Sequence, residues 1–399
     1  MEPEPVEDWT TDFDHTDAKW AADPFAIWDG LRAGCPVART ERFGGGWLPT
    51  RHQDVSAIAN DTEHFTSRSV IMGGHRPPLE LAPAGIAPPI SADPPYHAGS
   101  RRMLLPIFSP SRIAELEPST RAYCRELVDQ LRGRDTVDAA VEYAQHIPVR
   151  VIARMLGLPD DEGDRFRGFV EDILEGVAEP FEERIEVFLG LLDYLTPHIE
   201  ARIADPRDDV ISFLVQAELD GEKLDPIMVI RTIGLLLIAG IDTTWSAIGA
   251  SIWHLAQAPG DRQRLAAEPG LLPTAIEELL RAYAPVTMAR LVKEDFEFQG
   301  CPMKAEDWVL LPFPAANRDP EFFDRAAEVL IDRSPNRHAA FGLGMHRCAG
   351  SHLARMEMRV ALEVWLEAFP EFSLADAGAV RWSGGQVRGP RVLPLAVAR

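Results

Sequence analysis

The sequence predicts a mainly α fold with small β-sheets, and three observations carry that reading. Apolar residues recur at helical spacing almost continuously from about residue 95 onward. Strand-like or loop-like pieces cluster near residues 37–58, 285–312 and 380–398. No internal repeat and no linker divides the 399 residues, so 1–399 is expected to form a single domain, although length alone would allow two or three.

Composition narrows the function. Apolar residues at 46% and charged residues at 26% are ordinary for a globular chain, which excludes whole-chain disorder. A net charge of −22 argues against nucleic acid, whose binding needs a basic face, and against an anionic membrane surface. Cys35, Cys124, Cys301 and Cys348 lie far apart with no CxxC pair, so neither a disulfide framework nor a zinc ribbon is expected. Met1–Asp8 is acidic and lacks an apolar run, unlike a signal peptide. The expected location is the reducing cytoplasm.

In chain order, residues 70–95 come first. They are rich in Pro and Gly and poor in charge. A long apolar loop inside a compact domain is usually a lid or binding loop. Next, Asp160-Asp161-Glu162-Gly163-Asp164 has the DDxxD spacing of magnesium-dependent terpene cyclases, which are also all-helical. It follows Leu158-Pro159 directly, where a helix first turn favours acids through the dipole. No second metal motif lies downstream, so the run reads as capping.

Thr232 to Trp253 is the most apolar stretch and carries one charge, Asp242. A carboxylate at the centre of a membrane span is expensive, and no second span would shelter it. A helix buried through the core fits better. Asp225-Pro226 supplies its start, a capping residue followed by Pro in the first turn. Gly234 and Gly240 each cost about 1 kcal/mol relative to Ala in a helix interior. Small residues at 239–240 beside a buried Asp-Thr pair point to something bulky against this face.

Ala340-Phe341-Gly342-Leu343-Gly344-Met345-His346-Arg347-Cys348-Ala349-Gly350 is the most informative segment. It is a Gly-rich loop running into an amphipathic helix marked by Leu353, Met356, Val360 and Val364. Cys348 is expected at the start of that helix, where free N–H groups and the dipole favour a thiolate. A thiolate so presented beside a flat apolar group is what an axial haem ligand requires.

Phe341-x-x-Gly344-x-x-x-Cys348-x-Gly350 resembles the haem-binding signature of the cytochrome P450 superfamily. Three further matches stand in the right order. Glu278-Leu279-Leu280-Arg281 resembles the E-x-x-R pair on the helix bracing the ligand loop. Ala239-Gly240-Ile241-Asp242-Thr243-Thr244 resembles the oxygen-activation motif. Asp93-Pro94-Pro95-Tyr96-His97-x-x-x-Arg101 resembles the helix start that reaches a haem propionate in soluble bacterial members. The resemblance spans essentially the whole chain and implies haem held between a long central helix and the helix after the Cys loop.

The resemblance also implies roles. Cys348 would ligate the iron of haem b and push electron density toward dioxygen. Phe341, Gly342 and Ala239 would lie against the haem. His97, Arg101, Arg290 and His338 match positions that meet the two propionates, and Arg suits bidentate carboxylate binding. Glu278 and Arg281, paired on one helix face, would anchor the segment near Asn317-Arg318. Thr243 would hydrogen-bond the distal oxygen or a water, and Asp242 would relay protons from solvent. Back-bonding to the Ala239 carbonyl is the other reading of Thr243. Val70, Ile71, Met72, Leu235, Ile238, Ala239, Val286 and Met288 are the substrate-contact candidates.

The implied function is a monooxygenase acting with O2 on a small or medium-sized apolar organic substrate. Electrons would come from NAD(P)H through a reductase and a ferredoxin, an iron–sulfur protein. Neither nucleic acid nor membrane is an expected partner, and the chain is expected to be a monomer. A peroxide-driven haem-thiolate enzyme and a non-enzymatic haem sensor are the alternatives. Because an acidic ferredoxin would meet a chain of net charge −22, a local arginine cluster is expected on the sulfur side. Its candidates are Arg102, Arg112, Arg337, Arg347, Arg355 and Arg359.

Overall fold

The computed structural model describes residues 5–159, 162–174, 181–219 and 221–397. The apolar stretch forms a helix, Pro226–Gln257, capped by the Asp225 carboxylate, which accepts from the Ile227 N–H at 2.8 Å. By length and composition it could cross a membrane, yet half of its most apolar stretch is buried in the molecule. It touches the helices His146–Leu156, Gly163–Leu174, Phe181–Ala204, Val210–Gln216, Leu272–Ala282 and Ser351–Ala368. Ile233, Ile241, Ile248 and Ile252 are fully enclosed by these neighbours. A helix apolar all round is stable only when wrapped in this way.

The largest sheet runs in the order Val37–Thr40, Gly46–Pro49, Trp308–Pro312, Thr287–Val292 and Phe65–Thr66. Gly46–Pro49 pairs in parallel with Trp308–Pro312, and the other pairs are antiparallel. Trp308–Pro312 is buried on both faces, as its unbroken apolar run requires. Trp308 and Leu310 pack with Trp20 and Trp28, while Val309 and Leu311 pack with Val55 and Ile58. A three-stranded sheet joins Phe372–Leu374, Pro394–Val397 and Thr136–Asp138.

Two expectations are corrected. The cluster at 37–58, read as strand-like or loop-like, also takes in the start of a helix, His52–Asn60. Helices also precede residue 95, among them Phe25–Gly34, too short to impose a long periodic pattern. Of the acidic run, Asp164 lies in the first turn of Gly163–Leu174, whereas Asp160 and Asp161 lie outside the described residues.

The loop 70–95 is tied down. The Val70 carbonyl accepts from the Ala289 N–H at 2.8 Å. Arg76 donates to the Glu306 carbonyl at 2.6 Å and lies 5.4 Å from the Trp308 ring centre. Asp93 accepts from the Ser67 N–H at 2.9 Å and from the Thr66 hydroxyl.

Candidate active site

The Cys348 loop is held from below by the helix Leu272–Ala282. Glu278 and Arg281 are wholly buried there and joined by two bonds of 2.8 Å. Arg281 also donates to the carbonyls of Asn317 at 2.9 Å and Ala326 at 2.8 Å. Glu278 accepts from the Leu330 N–H at 2.8 Å and from Arg333 at 2.9 Å. Asn317 passes the constraint on, its side-chain oxygen accepting from the Ala339 N–H at 2.6 Å. The loop then closes on itself, Cys348 N–H to Phe341 carbonyl at 2.7 Å. Gly344 has φ +66°, and a Cβ there would sit 2.6 Å from the Ala59 carbonyl oxygen. Only glycine allows both the conformation and the approach.

The helix after the loop begins at Ser351, so Cys348 precedes its first turn instead of occupying it. The thiol side chain faces a cavity. Burial pushes it up from its ordinary range, while the Gly350 N–H and Arg101, Arg355 and Arg347 pull it down. Desolvation wins over the helix-end effect in the protein alone. A cation seated on the sulfur would reverse that balance.

The cavity encloses about 1430 Å³ of space, part of it open to solvent. Phe341, Gly342 and Cys348 line it on one side, and Leu235, Ala239, Gly240, Thr243 and Thr244 on the other. Gly240 is required by packing, since a Cβ would lie 2.6 Å from Ile152 Cγ1.

One edge of the cavity gathers nitrogen donors without carboxylate partners among the described residues. Arg290 is buried, donates only to the Ala289 carbonyl at 2.7 Å, and is lowered to about 10 by burial, with Asp93 opposing. Arg101 lines the cavity, donates to the Arg347 carbonyl and is also lowered by burial. His97 is buried, its Nε2 makes no hydrogen bond, and its ring meets that of His346 edge-on at 4.5 Å. His346 Nε2 lies 2.9 Å from the Ser67 hydroxyl. Burial, Arg290, His97 and Arg101 lower His346 to about 2, so it is neutral. Buried, underused donors of one sign call for an anion. A thiol on one face, apolar walls and this edge together fit haem and its two propionates.

Other expected residues fall elsewhere. His338 is engaged at both ring nitrogens: Nδ1 accepts from the Ala340 N–H at 3.1 Å, and Nε2 donates to Glu277 at 3.1 Å. Burial opposes the charge on Glu277, but Arg355 and His338 outweigh it and hold the carboxyl at about 2. His338 is thus engaged by Glu277 and does not line the cavity. Asp242 is buried on the helix face turned from the cavity, 2.8 Å from Arg391, with Ser246 at 3.3 Å. Thr243 lines the cavity and donates to the Ala239 carbonyl at 2.8 Å.

Val70, Leu235, Ala239, Val286 and Met288 line the cavity as expected, but Ile71, Met72 and Ile238 do not. Met72 is 1% exposed and belongs to the core with Trp308, where its methyl fills the space above Gly46. Ile71 and Ile238 pack against the main core. Sequence reading missed Ile90, Phe108, Ile152 and Glu357 among the lining residues. Ile90 lay within the apolar loop already singled out. Phe108 and Ile152 reach the cavity only through tertiary packing. Glu357 had a signal, because it interrupts the apolar stripe of Leu353 and Val360.

Of the sulfur-side arginines, Arg112 pairs with Asp208 at 2.7 Å, Arg355 with Glu277 at 2.6 Å and Arg359 with Glu117 at 2.6 Å. Arg102, Arg337 and Arg347 are exposed and have no acidic partner among the described residues.

Comparison with known proteins places these features in context. The family profile described as Cytochrome P450 matches residues 163–378. "Probable cytochrome P450 127A1" of Sinorhizobium fredii is 35% identical over 86% of this chain and 82% of its own. "Mycinamicin IV hydroxylase/epoxidase" of Micromonospora griseorubida is 34% identical over 90% of this chain and 92% of its own. The crystal structure of CYP101J2 superposes with a TM-score of 0.88 at 29% identity, covering 100% of both chains.

Proposed function

The chain belongs to the cytochrome P450 family of haem-binding monooxygenases, and on that premise we propose that it hydroxylates or oxidatively dealkylates a small or medium-sized apolar organic molecule. The observation that carries this reading is the cavity, with a lone thiol on one wall, Thr243 on the other and apolar side chains between. Haem, when bound, supplies the reductive activation of O2.

Cys348 would hold the iron, and Arg101, Arg290 and His97 would take the propionates. Glu278 and Arg281 keep the loop in place. Thr243 donates its hydroxyl proton to the Ala239 carbonyl, which leaves its oxygen lone pairs free to accept from a cavity water. Rotation of the hydroxyl would turn it into a donor, so one side chain can both hold and pass a proton. Val70, Ile90, Leu235, Val286 and Met288 carry no charge, so the substrate would be oriented by shape.

We propose electron supply by a ferredoxin and its NAD(P)H-dependent reductase, in the cytoplasm, to a single-domain monomer. Arg102, Arg337 and Arg347 would form the local positive face for an acidic partner. Exposed unpaired charges steer association more than those already neutralised by a neighbour.

The test is a binding screen of small apolar compounds followed in the haem Soret band. Apolar ligands should shift the band as they displace water, and their anionic analogues should not. Equal response to charged and apolar compounds would contradict the substrate class.

A further inference from the structure

A phenol, an imidazole and a carboxylate stand in line behind the cavity wall. Tyr283 follows the helix Leu272–Ala282, and Leu280 and Pro285, on either side of it in the chain, line the cavity. Its hydroxyl lies 2.9 Å from Nδ1 of His254, which is in the last turn of the central helix. The other ring nitrogen, Nε2, lies 2.9 Å from the Asp261 carboxylate. A neutral ring beside a carboxylate carries its proton on Nε2, so Nδ1 accepts from the phenol. Burial pushes the phenol up to about 12, with Arg318 and Arg281 opposing. Loss of the proton alone is therefore costly. Loss of the proton together with an electron leaves a neutral ring, which burial does not penalise.

Other aromatic rings lack this arrangement. Trp253 meets Tyr283 edge-on at 5.5 Å, and Trp382 meets Trp253 at 5.2 Å. Arg388 sits 4.1 Å from the centre of the Trp382 ring. A guanidinium on the face of an indole is attracted to its electrons and repels a positive charge placed there. Tyr143 is fully buried, but its hydroxyl donates to the Ala361 carbonyl at 2.8 Å. An amide carbonyl is too weak a base to take that proton. Tyr283 has both a base on its hydroxyl and a carboxylate behind the base.

We propose that Tyr283 is a redox-active tyrosine, with His254 as its proton acceptor and Asp261 orienting the imidazole, and that it drains oxidising equivalents from the site when no substrate is bound. The inference rests on the monooxygenase reading above. The oxidant is a peroxide, the product that escapes when O2 is reduced without insertion. Its O–O bond breaks, taking two electrons from the haem and two protons from solvent. Tyr283 then gives one electron back. Its O–H bond breaks, and the proton stays in the hydrogen bond on His254 Nδ1, beside Asp261. A small-molecule reductant such as ascorbate supplies one electron to restore the phenol, with the same proton returning from His254, and a second to restore the haem. The unpaired electron rests on Tyr283, because a tryptophan cation beside Arg388 is disfavoured.

The experiment mixes the haem-loaded, substrate-free protein with peroxyacetic acid, freezes it within milliseconds and records electron paramagnetic resonance. Wild type should show a tyrosyl signal that narrows when the tyrosines are ring-deuterated, with an exchangeable deuteron coupled to it in D2O. Tyr283→Phe should lose the signal and Tyr143→Phe should keep it. His254→Asn, which cannot take the proton, should lose the deuteron coupling and most of the signal. Haem absorbance should bleach several-fold faster in Tyr283→Phe than in wild type. A wild type without a tyrosyl signal, a signal kept in Tyr283→Phe, an unchanged signal in His254→Asn, or equal bleaching in Tyr283→Phe each overturns the proposal. If Tyr283→Phe fails to take up haem, the deuteron coupling in wild type and its loss in His254→Asn decide. Carbon monoxide spectra of the same reduced samples separate the two claims. Long-wavelength absorption without a tyrosyl signal sinks Tyr283 alone, and its absence from wild type sinks the monooxygenase reading.

Discussion

Thr243 and Asp242 are neighbours in the chain and about 100° apart around a helix. That rotation puts Thr243 on the cavity and Asp242 against Arg391. The motif supplied both residue types, but only the packing of the C-terminal segment decided which one faces inward. Cys348 and Arg290, singled out by spacing and resemblance, line the cavity because the loop and strand that carry them leave little choice of direction. Met72 was misplaced for the opposite reason, since an irregular loop has no periodicity from which to read a face. Thr243→Ala removes a hydroxyl that can switch between the Ala239 carbonyl and a cavity water. NAD(P)H consumption should continue while product falls several-fold and hydrogen peroxide accumulates, as expected when one proton-transfer group is lost and water partly replaces it. Oxygen uptake, peroxide and product measured together check this. Unchanged coupling would assign the role to another group.

At the scale of elements, the helix Leu272–Ala282 reaches the cavity through a relay of Arg281, Asn317 and Ala339. Its E-x-x-R spacing marked the pair in the sequence, and the capping Asp225-Pro226 marked the start of the central helix. What stayed illegible was the non-local part. Nothing in the chain shows that Arg281 also meets Ala326, or that Ile152 requires glycine at 240. The expected consequence is energetic. Glu278→Ala leaves a buried guanidinium without its carboxylate and should cost about 3–5 kcal/mol. Glu278→Gln keeps an acceptor for Arg281 and should cost less. Asp164→Ala, at an exposed helix start, should stay within about 0.5 kcal/mol. Denaturant unfolding checks the order, and equal midpoints for Glu278→Ala and wild type would refute the brace.

The whole molecule carries a net charge of −22, so any acidic partner must be guided by a local field. At physiological salt the Debye length is about 8 Å, which lets exposed charges near the sulfur side outweigh distant ones. Arg102→Glu and Arg347→Glu should slow reduction by a ferredoxin at low salt without changing substrate affinity. Arg112→Glu should have a smaller effect because Asp208 already offsets Arg112. The wild-type rate should fall as salt rises, and a salt-independent rate with Arg102→Glu and Arg347→Glu silent would place docking elsewhere. All these expectations depend on one bond between this chain and its cofactor. The direct measurement is the absorption of the reduced, haem-loaded protein under carbon monoxide. Wild type, Cys35→Ala, Cys124→Ala and Cys301→Ala should show the long-wavelength band of thiolate ligation, and Cys348→Ala should lack it. A band retained in Cys348→Ala, or absent from wild type, would contradict the account.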